Sequence, residues 1–122
     1  MKFKKRHGLH IVADLYGCDF SFFTNKNKKD IKKEFSEIIL RNKLRELGNF
    51  YYFFSGKDSF TAVIALAESH LSIHTWPEDG YISLDVFVCN YYSDKKKYAR
   101  SIFNNIVSIF SPKKIIKKEI IR

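Results

Sequence analysis

The stretch "AESHLSIHTWPEDGY", residues 67–81, decides how the chain folds. Pro77-Glu78-Asp79-Gly80 at its end is a strong hairpin turn signal. On both sides of that turn apolar and polar residues alternate, which is the period of a strand buried on one face. Residues 70–76 and 81–89 therefore read as two paired strands. With a symmetric turn Trp76 faces Tyr81, so that His74 faces Ser83, Ser72 faces Asp85, His70 faces Phe87 and Glu68 faces Cys89. Alternation sends Leu71, Ile73, Ile82, Leu84, Val86 and Val88 to the core. The other face receives His70, Ser72, His74, Ser83, Asp85 and Cys89. Polar groups this dense at the edge of a core are costly unless they are paired or used. That face must meet water, a ligand or a second subunit.

Outward from the hairpin, "SFTAVIALA" (59–67) is apolar on both faces and reads as a central strand. Before it, "FYYFF" (50–54) reads as a strand. Residues 30–46 read as a helix with Ile31, Phe35, Ile38 and Ile39 on one face, Asp30 as its N-cap and Gly48 beyond its end. "LHIVADLYGC" (9–18) is a first strand closed by Gly17. After the hairpin, residues 94–110 form a second helix with Tyr98, Ile102, Ile106 and Ile109 in register, and 113–121 a last short strand. The order β-α-β-β-β-β-α-β predicts an α+β fold, a two-layer α/β sandwich with a largely antiparallel sheet and two helices on one face.

A chain of 122 residues suits a single domain spanning 1–122. Its longest apolar runs fall short of the roughly 18 residues of a membrane span. The basic start lacks the long apolar stretch of a secretory signal. A cytoplasmic protein with no membrane partner is expected. Cys18 and Cys89 are too few for a disulfide framework, and no Cys/His spacing suggests a metal. The net charge of +9 raises the possibility of nucleic-acid binding. Its distribution argues otherwise: Asp58 to Asp94 holds six acidic residues and no Lys or Arg. The basic residues, in 2–6, 26–33, 41–57, 95–100 and 113–122, read as solvated faces and tails. The acidic segment suits a cationic ligand.

The run "AESHLSIHTWPEDGY", the following "LDVFVCN" and the earlier "HIVADLYGCD" resemble the prokaryotic S-adenosylmethionine decarboxylases, which are pyruvoyl-dependent enzymes. The likeness covers nearly the whole chain, and the run from Glu68 to Glu78 is highly specific. It implies self-cleavage of a proenzyme between Glu68 and Ser69 into a β chain, 1–68, and an α chain, 69–122. The Ser69 hydroxyl would attack the Glu68 carbonyl and form an ester. β-Elimination would then leave dehydroalanine, which hydrolyses to an N-terminal pyruvoyl group derived from Ser69. That ketone forms a Schiff base with the substrate amine and takes up the electrons left by decarboxylation, work no ordinary side chain can do.

The resemblance also implies roles for particular residues. His74 matches the processing base. Cys89 matches the catalytic acid that reprotonates the product carbon; a thiol is small and can donate near neutral pH. Thr61 stands where the family often has a serine that assists cleavage. Glu78 matches a ribose contact, and Phe54 a ring stacked on adenine, the latter across a one-residue gap. The implied activity is decarboxylation of S-adenosylmethionine to the aminopropyl donor for spermidine, by a homodimer of cleaved protomers with sites at or near the interface. A pyruvoyl-dependent ornithine or arginine decarboxylase of the same family is the alternative. An uncut, basic nucleic-acid-binding protein is a third reading. Geometry leaves one matter open: His74 lies five residues past Ser69, roughly 16 Å along a straight strand. Either the chain turns sharply at 68–70 or His74 acts elsewhere.

Overall fold

The protein was analysed as a computed structural model that describes residues 8–89 and 93–122. The basic run at 2–6 lies outside the described residues. The elements follow the expected order: β1 (Leu9–Tyr16), α1 (Lys28–Arg41), β2 (Glu46–Phe53), β3 (Phe60–Leu66), β4 (Ser69–Trp76), β5 (Tyr81–Val88), α2 (Lys96–Phe110) and β6 (Lys114–Ile121). The strands form one sheet in the order β2-β3-β4-β5-β1-β6, and each neighbouring pair is antiparallel. α2 packs on β1 and β5, while α1 packs on α2 and the end of the sheet at β2. The result is the α+β two-layer sandwich that the element order predicts.

The hairpin register is as read from the sequence, with Trp76 opposite Tyr81, His74 opposite Ser83, Ser72 opposite Asp85 and His70 opposite Phe87. Leu71, Ile73, Ile82, Leu84, Val86 and Val88 are all buried. They meet Ile31, Phe35, Ile38 and Ile39 of α1 in one core. Each such side chain stabilises the fold by about 1.5–3 kcal/mol.

Several boundaries differ from expectation. The N-cap of α1 is Asn27, not Asp30: Asn27 accepts from the Asp30 amide and Asp30 accepts from the Asn27 amide, a reciprocal capping box. The helix stops at Arg41 because Asn42 turns inward, donating to the Ile38 carbonyl and to Asn105 Oδ1 of α2. Lys43 then takes φ +60°, a left-handed conformation that costs a residue with a Cβ about 1–2 kcal/mol. Gly48 is no helix stop. It lies in β2, beside a break in register between Glu46 and Gly48. In α2 the buried stripe is Ala99, Ile102, Phe103, Ile106 and Phe110; Tyr98 and Ile109 flank it.

β3 is central, as expected, yet only one of its faces is buried. Phe60, Ala62, Ile64 and Leu66 enter the core, while Val63 is 49% exposed. Its outward neighbours Phe50 and Tyr52 on β2 are exposed too. The sheet thus presents a long uncovered face. One row runs Tyr52, Thr61, His74, Ser83, Asp14, Ile116, and the next runs Phe50, Val63, Ser72, Asp85, Val12, Lys118.

Candidate active site

The residues expected to carry chemistry fall into two groups at opposite ends of β4. At its head, Ala67 and Glu68 form a two-residue turn between Leu66 and Ser69, which pair across the β3–β4 hairpin. Glu68, Ser69 and Cys89 line one cavity of about 140 Å³. Glu68 and Cys89 lie beyond the ends of β4 and β5 and are not strand-paired as expected, but they share this cavity with Ser69. Cys89 is a free, half-buried thiol. Its floor is Gly8, where an added Cβ would sit 3.1 Å from the sulfur. The Gly8 backbone is fixed by exchanging hydrogen bonds with Arg122 at 2.8 and 3.0 Å.

At the other end, Phe54, Thr61, His74 and Glu78 line a second cavity of about 430 Å³ together with Trp76, Thr75, Ser59 and Phe60. This volume suits a nucleoside-sized ligand. The Thr61 hydroxyl and His74 Nδ1 are hydrogen-bonded across the β3–β4 pair. A hydroxyl that accepts from Nδ1–H leaves Nε2 as the basic nitrogen. Buried Thr75 holds the loop before β3 in place, donating to the Asp58 carbonyl at 2.5 Å and accepting from the Phe60 amide at 2.9 Å. The Phe54 amide closes the same loop on the Ser59 carbonyl at 2.8 Å. Glu78 stands on the short 3-10 turn Pro77–Asp79, whose exit requires Gly80 at φ +60°.

Sequence reasoning missed Trp76 as part of this cavity. The indole stacks on Tyr81 at 5.1 Å, and Tyr81 stacks on Tyr16 at 5.2 Å. Tyr81 in turn donates to Asp14 Oδ1 at 2.5 Å. That bond to a carboxylate, with some burial, pushes the phenol up to about 12, so it stays protonated and donating. Its signal was present in the sequence as the Trp76–Tyr81 pairing, read then only as register.

The two groups do not meet within one chain. β4 runs unbroken from Ser69 to Trp76, so the turn lies before Ser69 and His74 remains roughly 16 Å along the strand from it. The acidic segment does not gather into one pocket either. Glu68 lies at the first cavity, Glu78 at the second and Asp85 on the open face, 4.0 Å from His10 Nε2. At the second cavity Glu78 is the one carboxylate among the lining residues, beside two exposed rings, Phe54 and Trp76. Lys43 and Arg45 are exposed, as expected, and with half-buried Lys95 they also line the first cavity.

Residues 9–122 match the family described as S-adenosylmethionine decarboxylase. The chain is 37% identical over 115 residues to the S-adenosylmethionine decarboxylase proenzyme of Sulfurihydrogenibium sp., covering 94% of this chain and 81% of that protein. It is 32% identical over 120 residues to the proenzyme of Clostridium botulinum strain Okra, covering 97% and 96%. The crystal structure of adenosylmethionine decarboxylase from Aquifex aeolicus superposes with a TM-score of 0.78 at 34% identity, covering 97% of this chain and 92% of that one.

Proposed function

The chain belongs to the S-adenosylmethionine decarboxylase family, and from that premise we propose that it cuts itself between Glu68 and Ser69 and joins two such cleaved protomers into one catalytic unit. Its activity is that of the family: a carboxy-lyase acting on S-adenosylmethionine, made as a proenzyme and dependent on a pyruvoyl group. The observation that supports this cleavage point is the shared cavity of Glu68, Ser69 and Cys89 at the tight turn heading β4. The residues fit the group: a hydroxyl that can become the ketone lies beside a thiol able to donate a proton. When formed, the pyruvoyl group supplies a carbonyl that takes up the electron pair left by departing carbon dioxide. Cys89 then delivers a proton to the product carbon.

His74, with Thr61 orienting its ring, is the base for maturation, and Phe54, Trp76 and Glu78 hold the nucleoside end of the substrate. Aromatic faces and a carboxylate attract a sulfonium cation. Since Ser69 and His74 lie at opposite ends of β4, the working site draws on two protomers. If two uncovered faces stack about a two-fold axis that runs across the strands, the strand direction is reversed and the Ser69 end of one chain comes toward the His74 end of the other. The exposed Phe50, Tyr52 and Val63 would be covered in the process. Location in the cytoplasm fits the substrate; among the described residues no helix is long and apolar enough to cross a membrane.

The activity is tested by a denaturing gel and intact mass of the purified protein, followed by carbon dioxide release from S-adenosylmethionine, ornithine and arginine in parallel. Two fragments, 1–68 and 69–122, and release from S-adenosylmethionine are expected. An uncut chain that binds DNA with steep salt dependence would overturn the reading. The shared site is tested by co-expression. His74→Asn alone should stay uncut, whereas His74→Asn paired with Ser69→Ala should be cut, because the second chain supplies the missing imidazole. Mixed dimers in which the His74→Asn chain stays whole would refute sharing. Glu78→Gln should cleave normally yet raise KM for S-adenosylmethionine about tenfold, the scale of one lost charged contact. An unchanged KM removes Glu78 from the site.

A further inference from the structure

The cavity beside the Glu68–Ser69 bond has a charge pattern that decarboxylation does not use. Lys43, Arg45 and Lys95 line it with Glu68. They arrive from two places distant in the chain, the α1–β2 loop and the start of α2, so three basic residues and one acidic residue share the lining. The grouping is built into the backbone. The Arg45 carbonyl accepts from the Ala67 amide at 2.9 Å, which fastens the basic loop to the turn holding the scissile bond. Buried Asn42 anchors the same loop to Asn105 of α2 at 3.0 Å. Lys43, which lines this cavity, keeps a left-handed backbone, a conformation that favours glycine.

We propose that Lys43, Arg45 and Lys95 form a carboxylate-binding set whose ligand is the Glu68 carboxylate expelled during self-cleavage. This rests on the cleavage reading above. In the first step the Ser69 oxygen adds to the Glu68 carbonyl, the C–N bond breaks, and the amine of residue 69 keeps the proton given up by the hydroxyl. In the second, a base removes the Ser69 Cα proton and the Cβ–O bond breaks. Its electron pair leaves on Glu68 as a carboxylate, and dehydroalanine remains; water then displaces ammonia to give the ketone. The first step puts only a transient oxyanion on the Glu68 carbonyl oxygen; a full, lasting carboxylate appears on Glu68 in the second. Cations lining the same cavity as the leaving oxygen would lower its barrier as that charge forms. Afterwards the 1–68 chain ends in Glu68 with two carboxylates, which the three cations retain beside the new cofactor. The substrate carboxylate is the wrong ligand for this set, because pinning it with cations stabilises the ground state and opposes loss of carbon dioxide.

The test follows maturation of freshly made Lys43→Gln/Arg45→Gln/Lys95→Gln protein by intact mass. Expected is a slowing of about tenfold to a hundredfold, with uncut chain accumulating as an ester that hydroxylamine splits between residues 68 and 69. Lys43→Arg/Lys95→Arg should mature at the wild-type rate, and salt should slow the wild type, since Lys43 and Arg45 are exposed. Lys95→Gln alone, outside the anchored loop, should show a smaller slowing and preserves the test if the triple variant does not fold. Maturation of the glutamine variants at the wild-type rate overturns the proposal, as does slowing without a hydroxylamine-sensitive ester. A wild-type chain with no cut at this bond would instead remove the cleavage reading itself.

Discussion

Ser69→Ala is expected to persist as a single chain of 122 residues and to release no carbon dioxide from S-adenosylmethionine. The substitution deletes the one oxygen that can attack the Glu68 carbonyl, and with it the precursor of the ketone. It should leave the fold intact. Ser69 is half-buried, and no hydrogen bond of its hydroxyl is seen among the described residues. Its position is held by backbone pairing with Leu66, which alanine preserves. A change of this kind ordinarily shifts stability by no more than about 0.5 kcal/mol. Loss of both cleavage and activity at unchanged thermal stability would therefore report chemistry. A Ser69→Ala chain that still splits at this bond would show that another group performs the attack.

The β4–β5 hairpin was fully legible because two independent signals agreed. The turn chemistry of Pro77 to Gly80 set the register, and alternation set the faces. The α1 stripe was legible for a similar reason, since Ile31, Phe35, Ile38 and Ile39 repeat at helical spacing. The end of α1 was not. It depends on Asn42 bonding Asn105, a partner 63 residues away in the chain, and no local propensity reports that. The stripe of α2 slipped from Tyr98 to Ala99 and Phe103 because several apolar faces were available and packing on β1 and β5 chose among them.

The candidate site was legible residue by residue and illegible as an arrangement. Thr61 and His74 were each singled out, but their hydrogen bond follows from the β3–β4 register, which is set by the tight turn at Ala67 and Glu68. That same turn removes the bend that would have carried His74 back to Ser69. A straight β4 separates them, so the distance problem visible in the sequence becomes an argument for a second protomer. Lys43, Arg45 and Lys95 were invisible as a group, because local charge counting along the chain sees only the acidic segment between them.

Cys89→Ala is expected to cleave normally but to decarboxylate about 10²–10⁴-fold more slowly, the usual contribution of a placed acid. The thiol lies on the cavity that holds residue 69, and glycine beneath it leaves room for sulfur where any Cβ would crowd it. On this reading its service would be choice of carbon as well as speed. Once carbon dioxide has left, a proton can reach the substrate carbon, which releases product, or the cofactor carbon. The second outcome leaves, after hydrolysis, alanine at residue 69 and an enzyme that cannot turn over again. Without the thiol, water delivers protons to either carbon. The 69–122 chain of Cys89→Ala should thus begin with the ketone before substrate is added and gather alanine at its first residue during turnover. Mass spectrometry of that chain before and after incubation with S-adenosylmethionine reads both states. Turnover at the wild-type rate with no gain of alanine would assign proton delivery to another group and leave Cys89 a packing residue above Gly8.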